Sequence, residues 1–256
     1  VDKSKTVILC VHIPFRDSFS HDFNSGNGYY NEVLALLAQF DNAFVIAGHT
    51  HNNVTKWDHS VAGKNIHEYV TGTACGAWWH GTICTDGAPN GYGMFEFDGA
   101  KVSNHLYKAT KYPENFQMRI YRATDFPAFT SPKNGNTYSW GIKTEEGRAI
   151  VNVWNADSKW TFKVYEHGEE LSDLRTNGTA YRDMWAKYYF YLTALITSTN
   201  YDSAYNDMYY YNIQKDDLKN GSSDDIRIVA TDAYGNTFTQ EGFTRQSDDS
   251  AGAYRN

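Results

Sequence analysis

Two apolar runs and the segment between them restrict this chain more than any other feature. "TVILCVHIPF" (6–15) has the length of a strand, is partly β-branched and lacks polar alternation, the pattern of a strand buried on both faces of a sheet. After a polar, glycine-bearing stretch, "YYNEVLALLAQF" (29–40) sets Val33, Leu34, Leu36, Leu37 and Phe40 on one predicted helical face. "NAFVIAG" (42–48) is a second buried strand. Strand, helix, strand in that order predicts a parallel βαβ unit, and such units gather ligands beyond the carboxyl ends of their strands. Both ends carry histidine: His12 after the first strand, His49 and His51 in "GHTH" after the second.

From Val54 to about Tyr112 short strands alternate with glycine-rich turns such as "DGAPNGYG" and "FDGAK", which predicts antiparallel hairpins. A boundary is expected near Pro113, making residues 1–112 one unit. Beyond it "RAIVNVW", "KWTFKVYEHGEE", "DMYYYNI" and "DIRIVATDAYGNTFT" alternate between turn signals and predict an immunoglobulin-like β-sandwich over 113–245, with Trp140, Trp154 and Trp160 in its core. One helix interrupts it, in "YRDMWAKYYFYLTALI", where Trp185, Tyr188, Leu192 and Leu195 recur at helical spacing. The polar tail 246–256 is expected to be disordered. The fold class is α+β.

Charge excludes one class of partner. The 23 Lys and Arg are outnumbered by 30 Asp and Glu, for a net charge of -7, and no basic cluster provides the electrostatic footprint of a nucleic-acid binder. No apolar run is long enough to span a membrane. The chain opens on Val1 with no visible signal segment, which reads as a fragment or a processed product. Of the three cysteines, Cys10 is expected to be an inert core thiol, and a Cys75–Cys84 bridge is open in an oxidising compartment. Aromatic residues make up 16% of the chain, which suits β-rich packing, sugar-stacking surfaces and a periplasmic or extracellular location.

Nine histidines give about 0.3 His-x-His pairs by chance, so "HTH" alone is a weak motif. Its context adds to it. Neutral imidazoles bind transition metals, Gly48 would allow a sharp turn, and rings two apart can reach two metals. Against this stands an ordinary core histidine at His12 and backbone-bonded loop histidines at His49 and His51; the residues alone leave both readings open. His80, framed by Trp78 and Trp79, and Asn52 are candidate substrate contacts, although a structural turn at His80 and turn formation by Asn52 and Asn53 are the plainer readings. Asp17, His21 and Asp22, and Asp58 with His59, are acid-histidine clusters with the character of solvated loops.

"VHIPF" followed by "AGHTH" resembles the last two metal-binding motifs of the calcineurin-like metallophosphoesterases. "GTACGAWWHG", "DGAPNGYGMFEFDG", "NVWNADSKWTFKVYEHG" and "IVATDAYGNTFT" are similar to bacterial members with a C-terminal β-domain, so the resemblance extends to about Phe243. It implies the C-terminal half of an αββα sandwich followed by that β-domain. It also implies a two-metal centre of divalent or trivalent Mn, Fe or Zn, and hydrolysis of phosphate esters by a metal-bound hydroxide. Carried over by position, His12 and His49 would ligate one metal and His51 the other. The upstream motifs, with the bridging aspartate and the histidine that assists the leaving group, have no counterpart here. The resemblance therefore implies a C-terminal part that needs the missing N-terminal half, inactive alone, with His12, His49 and His51 as ligands and none of them a catalytic acid or nucleophile. The rival from another class is a glycan- or protein-binding module with vestigial histidines.

Overall fold

The computed structural model describes residues 2–15, 28–76, 81–132, 134–140, 147–172, 182–192 and 208–245. Outside them lie Trp78, Trp79 and His80, the Asp17, His21 and Asp22 cluster, the end of the interrupting helix beyond Leu192, and the 246–256 tail.

The βαβ unit forms as expected. Strand β1 (Thr6–Cys10), helix α1 (Gly28–Leu37) and strand β2 (Asn42–Ala47) are followed by a hairpin of β3 (Val54–Val61) and β4 (Lys64–Val70). The sheet order is β1-β2-β4-β3, with β1, β2 and β4 parallel and β3 antiparallel. Ala62 and Gly63, both at positive φ, form the two-residue turn that a twisted hairpin requires. One face of the sheet packs Val7, Leu9, Val11, Val45 and Ile66 against Leu34 and Leu37 of α1. The opposite face is covered in part by a second hairpin, β5 (Gly91–Asp98) and β6 (Lys101–Ala109). There Phe44 meets Phe95 and Phe97, and Tyr69 meets Phe95 and His105.

Two expectations for this unit fail for geometric reasons. β1 is not buried on both faces: it is an edge strand, Ile8 is 41% exposed and Cys10 is exposed rather than a core thiol. Their side chains share the face of Phe44, and at β1 the β5–β6 hairpin arrives only with its tip, where the Thr6 hydroxyl donates to the Ala100 carbonyl. Leu36 is 60% exposed because it points about 110° away from the stripe through Tyr30, Val33, Leu34 and Leu37.

The second region is built on two antiparallel sheets. One holds β7 (Met118–Arg122), β10 (Arg148–Val153) and β13 (Met208–Asn212) in the order β13-β10-β7. The other holds β11 (Thr161–Glu166), β12 (Glu169–Ser172), β14 (Ile226–Thr231) and β15 (Thr237–Glu241) in the order β12-β11-β14-β15. Alternate residues from both sheets, among them Ile120, Val151, Tyr211, Val164, Ile228 and Phe238, share one core. The short strands β8 (Phe129–Thr130) and β9 (Thr137–Tyr138) form a hairpin beside it.

The three-stranded sheet is buried on its outer face too. Tyr121, Ile150 and Met208 pack there against Phe126, Trp140 and a helical segment made of α2 (Met184–Lys187) and a π-type turn (Tyr188–Leu192). Asp183 caps that helix, accepting from the Ala186 N–H at 2.8 Å. The tryptophans accordingly divide. Trp160 stacks on Phe238 of the sandwich core, Trp140 belongs to the outer layer, and Trp154 packs with Cys84, Ala88 and Tyr107. The aromatic enrichment thus goes largely into layers between elements. Cys75 and Cys84 are free thiols.

Candidate functional site

Backbone pairing sets two histidines side by side. The β1–β2 register, Thr6↔Asn42 to Cys10↔Ile46, runs past the strand ends through Val11 N–H to Ile46 C=O (3.0 Å) and Gly48 N–H to His12 C=O (3.1 Å). His12 and His49 therefore leave the sheet at one level. Their rings meet edge to face, 4.9 Å between centroids, with His12 Nε2 and His49 Nδ1 3.0 Å apart. One of those nitrogens carries a proton and the other presents a lone pair.

The turn that presents them is strained at the histidines and not at the glycine. His49 has φ 67° and His51 φ 57°, in the left-handed region, whereas Gly48 is not among the positive-φ glycines. Thr50 N–H donates to Gly48 C=O at 2.7 Å, closing a three-residue turn around His49 of the rarer γ hand. The expected role of Gly48 is thus corrected: the sharp turn is made by His49 and His51.

His51 is buried and tied to two other loops. Its Nδ1 lies 2.9 Å from the Gly76 carbonyl, which can only accept, so Nδ1 carries a proton and the tautomer this bond selects has its lone pair on Nε2. Its carbonyl accepts from Thr85 N–H at 3.1 Å and Thr85 Oγ1 at 3.3 Å. Asn52 is half-buried on the same turn. Asn53, fully buried, donates its N–H to Asp86 Oδ2 at 2.7 Å and accepts from Gly72 N–H at 2.9 Å.

Residues 68–238 match the family model described as the C terminal of calcineurin-like phosphoesterase. The chain belongs to this family. No curated protein and no solved structure matches it. The match begins on β4 and includes Gly72, Gly76, Thr85 and Asp86, which bond to the histidine turn, while His12, His49 and His51 precede it.

Neutral imidazoles are donors that transition metals accept, and three histidines are candidates for that part here. His12 and His49 bring facing ring nitrogens together from neighbouring strands, and while bonded to each other only one of the two presents a lone pair. The His51 bond to a carbonyl is the outer-shell arrangement that orients a ligating imidazole. Among the described residues no group of three or more His, Cys, Asp or Glu is arranged to hold a metal, so the anionic ligand that two cations need is not supplied there.

Two buried carboxylates, Glu68 and Asp86, escaped the sequence reading. His59, taken for a solvated loop residue, is buried on β3 with its Nε2 2.8 Å from Glu68 Oε2 and its Nδ1 2.7 Å from the Tyr30 hydroxyl. Glu68 Oε1 accepts from Phe15 N–H at 2.7 Å and so anchors the segment that follows His12. A signal existed: in "KNIHEYV" Glu68 stands at the same parity as the buried Ile66 and Val70. Asp86, in a stretch read only as a turn, carried no such signal.

Proposed function

We propose that this chain is the C-terminal part of a metal-dependent phosphoesterase in which His12 and His49 hold one cation and His51 a second. The observation that carries this reading is the meeting of His12 and His49 across adjacent strand ends, on a turn kept in costly backbone conformations. Family membership supports it. The bridging carboxylate would come from sequence upstream of Val1. When bound, the two metals, Mn, Fe or Zn, supply positive charge against the transferring phosphoryl group.

The residues of this chain have narrower tasks. His12 and His49 keep two nitrogens at one point, and the Gly76 carbonyl holds His51 in the tautomer with Nε2 bare. Asn52 and His80 are proposed as contacts to the phosphate-ester substrate. The helix, sheet and hairpin layers are read as half of an αββα sandwich, completed where Ile8 and Cys10 lie exposed on edge strand β1. The three- and four-stranded sheets are read as an immunoglobulin-like sandwich, and a periplasmic or extracellular location goes with this proposal.

The test compares the 256-residue chain with the longer polypeptide. The chain alone is expected to take up fewer than two metals and to leave a chromogenic phosphomonoester intact. The longer protein should carry two metals by elemental analysis and lose one, with its activity, in His49→Ala. Hydrolysis by the isolated chain, abolished by His49→Ala, would overturn the proposal.

A further inference from the structure

The histidine turn does not stand on its own sheet. Asp86, buried, accepts Asn53 N–H on Oδ2 (2.7 Å) and Ala88 N–H on Oδ1 (3.0 Å), and Asn53 Nδ2 lies 3.4 Å from the same Oδ2. The bonds from Gly72 to Asn53 and from His51 to Gly76 close a ring back to the imidazole. On its other side the 81–90 loop is fastened to the outer face of the three-stranded sheet. Asn152 Nδ2 donates to the Asp86 carbonyl at 2.6 Å and to Asp183 Oδ2 at 2.7 Å, Arg119 donates to the Gly87 carbonyl, and Tyr121 donates to Asp183 at 2.7 Å. Gly87, at φ 85°, lies so close to the Asp183 carboxylate that a Cβ would run into it.

Arg119, Asn152 and Asp183 are all buried, and Arg119 is further held over the Trp185 ring at 4.1 Å. Groups that have given up water to bond one another define few alternative arrangements, which suits them to fixing a loop. We propose that the outer face of the β-sandwich acts as a clamp on the metal-ligating turn, with Asp86 the positioning residue that transmits its hold to His51. This rests on the metal-site reading above only for its use; the clamp itself is a statement about His51.

The experiment follows the His51 ring nitrogens by long-range proton–nitrogen spectroscopy in the 256-residue chain, with amide exchange and cobalt(II) uptake on the same samples. In the unaltered chain His51 should show a protonated Nδ1 and a bare Nε2, and the Asn53 and Thr85 amides should be protected as strongly as those of β10. Asp86→Asn, which opposes a donor to one of the two amides, should move His51 toward a tautomer average. It should also speed exchange at Asn53 and Thr85 by about tenfold or more, while β11 and β14 stay unchanged. Asn152→Leu should act in the same direction from the other side of the loop, and cobalt affinity, where present, should fall about tenfold. An unaltered His51 tautomer in folded variants would overturn the clamp, as would Asn53 and Thr85 amides exchanging far faster than β10 in the unaltered chain. A His51 tautomer that answers to Asp86 in a chain that binds no cobalt would support the clamp, while a longer protein without two metals by elemental analysis would defeat the metal reading and leave the clamp standing.

Discussion

At the residue scale, burial decides what several titratable and special-conformation groups can do. His105 is buried, stacked on Phe95 at 4.3 Å, and burial, with His67 as a smaller contribution, pushes its pKa down to about 3 from an ordinary 6.5. The folded state keeps it neutral where the unfolded chain takes up a proton. Its stabilising share is therefore present above about pH 6.5 and is lost as pH falls from there toward 3. At pH 5 the loss is on the order of 2 kcal/mol. His105→Phe is expected to flatten that limb: the drop in urea midpoint between pH 7 and 5 should shrink relative to the unaltered chain. His167 has the opposite sign, because Asp217 and Asp225 hold its pKa above 6.5, so its share is present below that value and lost as pH rises through the raised pKa. Glycines separate in the same way. Gly48→Ala meets open space and no positive φ and should change stability by less than about 0.5 kcal/mol. Gly87→Ala, strained and driven onto Asp183, should cost about 3 kcal/mol in urea unfolding.

At the element scale, single carboxylates hold segments in place. Glu68 on β4 receives His59 of β3 and the Phe15 amide of the 12–15 segment, and through His59 reaches Tyr30 on α1. Glu68→Ala removes the carboxylate that the Phe15 amide and the buried His59 ring bond to, at about 1–3 kcal/mol each. The expected outcome is a melting temperature lowered accordingly and a marked rise in amide exchange at Phe15, with β11–β14 unaffected. Edge strand β1 gives a chemical readout of the layer that is thin above it. Cys10 is exposed and should react with a thiol reagent in the folded chain, whereas Cys84, buried and with its thiol pushed well above the ordinary range chiefly by that burial, should react only on unfolding. Equal rates at Cys10 and Cys84 would contradict this placement.

At the scale of the whole molecule, the sheet that carries the histidines and the sandwich meet through the buried chain of Asn53, Asp86, Asn152 and Asp183. A joint of desolvated, mutually bonded groups cannot open at one side without orphaning the other. The two regions are therefore expected to unfold in one transition, with coincident urea curves for the backbone amides of β4 and of β14. Two separated midpoints would contradict the joint.

Much of this is legible in the sequence. The alternation in "KWTFKVYE" and "DIRIVAT", the helical stripe of "YYNEVLALL" and the two apolar runs ending in histidine assign elements, because side-chain period is a local property of strand and helix. From order alone His12, His49 and His51 fall at one end of one sheet. Three matters belong to tertiary structure: which face of β1 goes uncovered, that the left-handed residues are His49 and His51 rather than Gly48, and that Glu68 meets Phe15 while Asp86 meets Asn53. The reason is physical. A buried carboxylate takes whichever donors packing brings to it, here 53 and 33 residues away, and no local pattern along the chain encodes that choice.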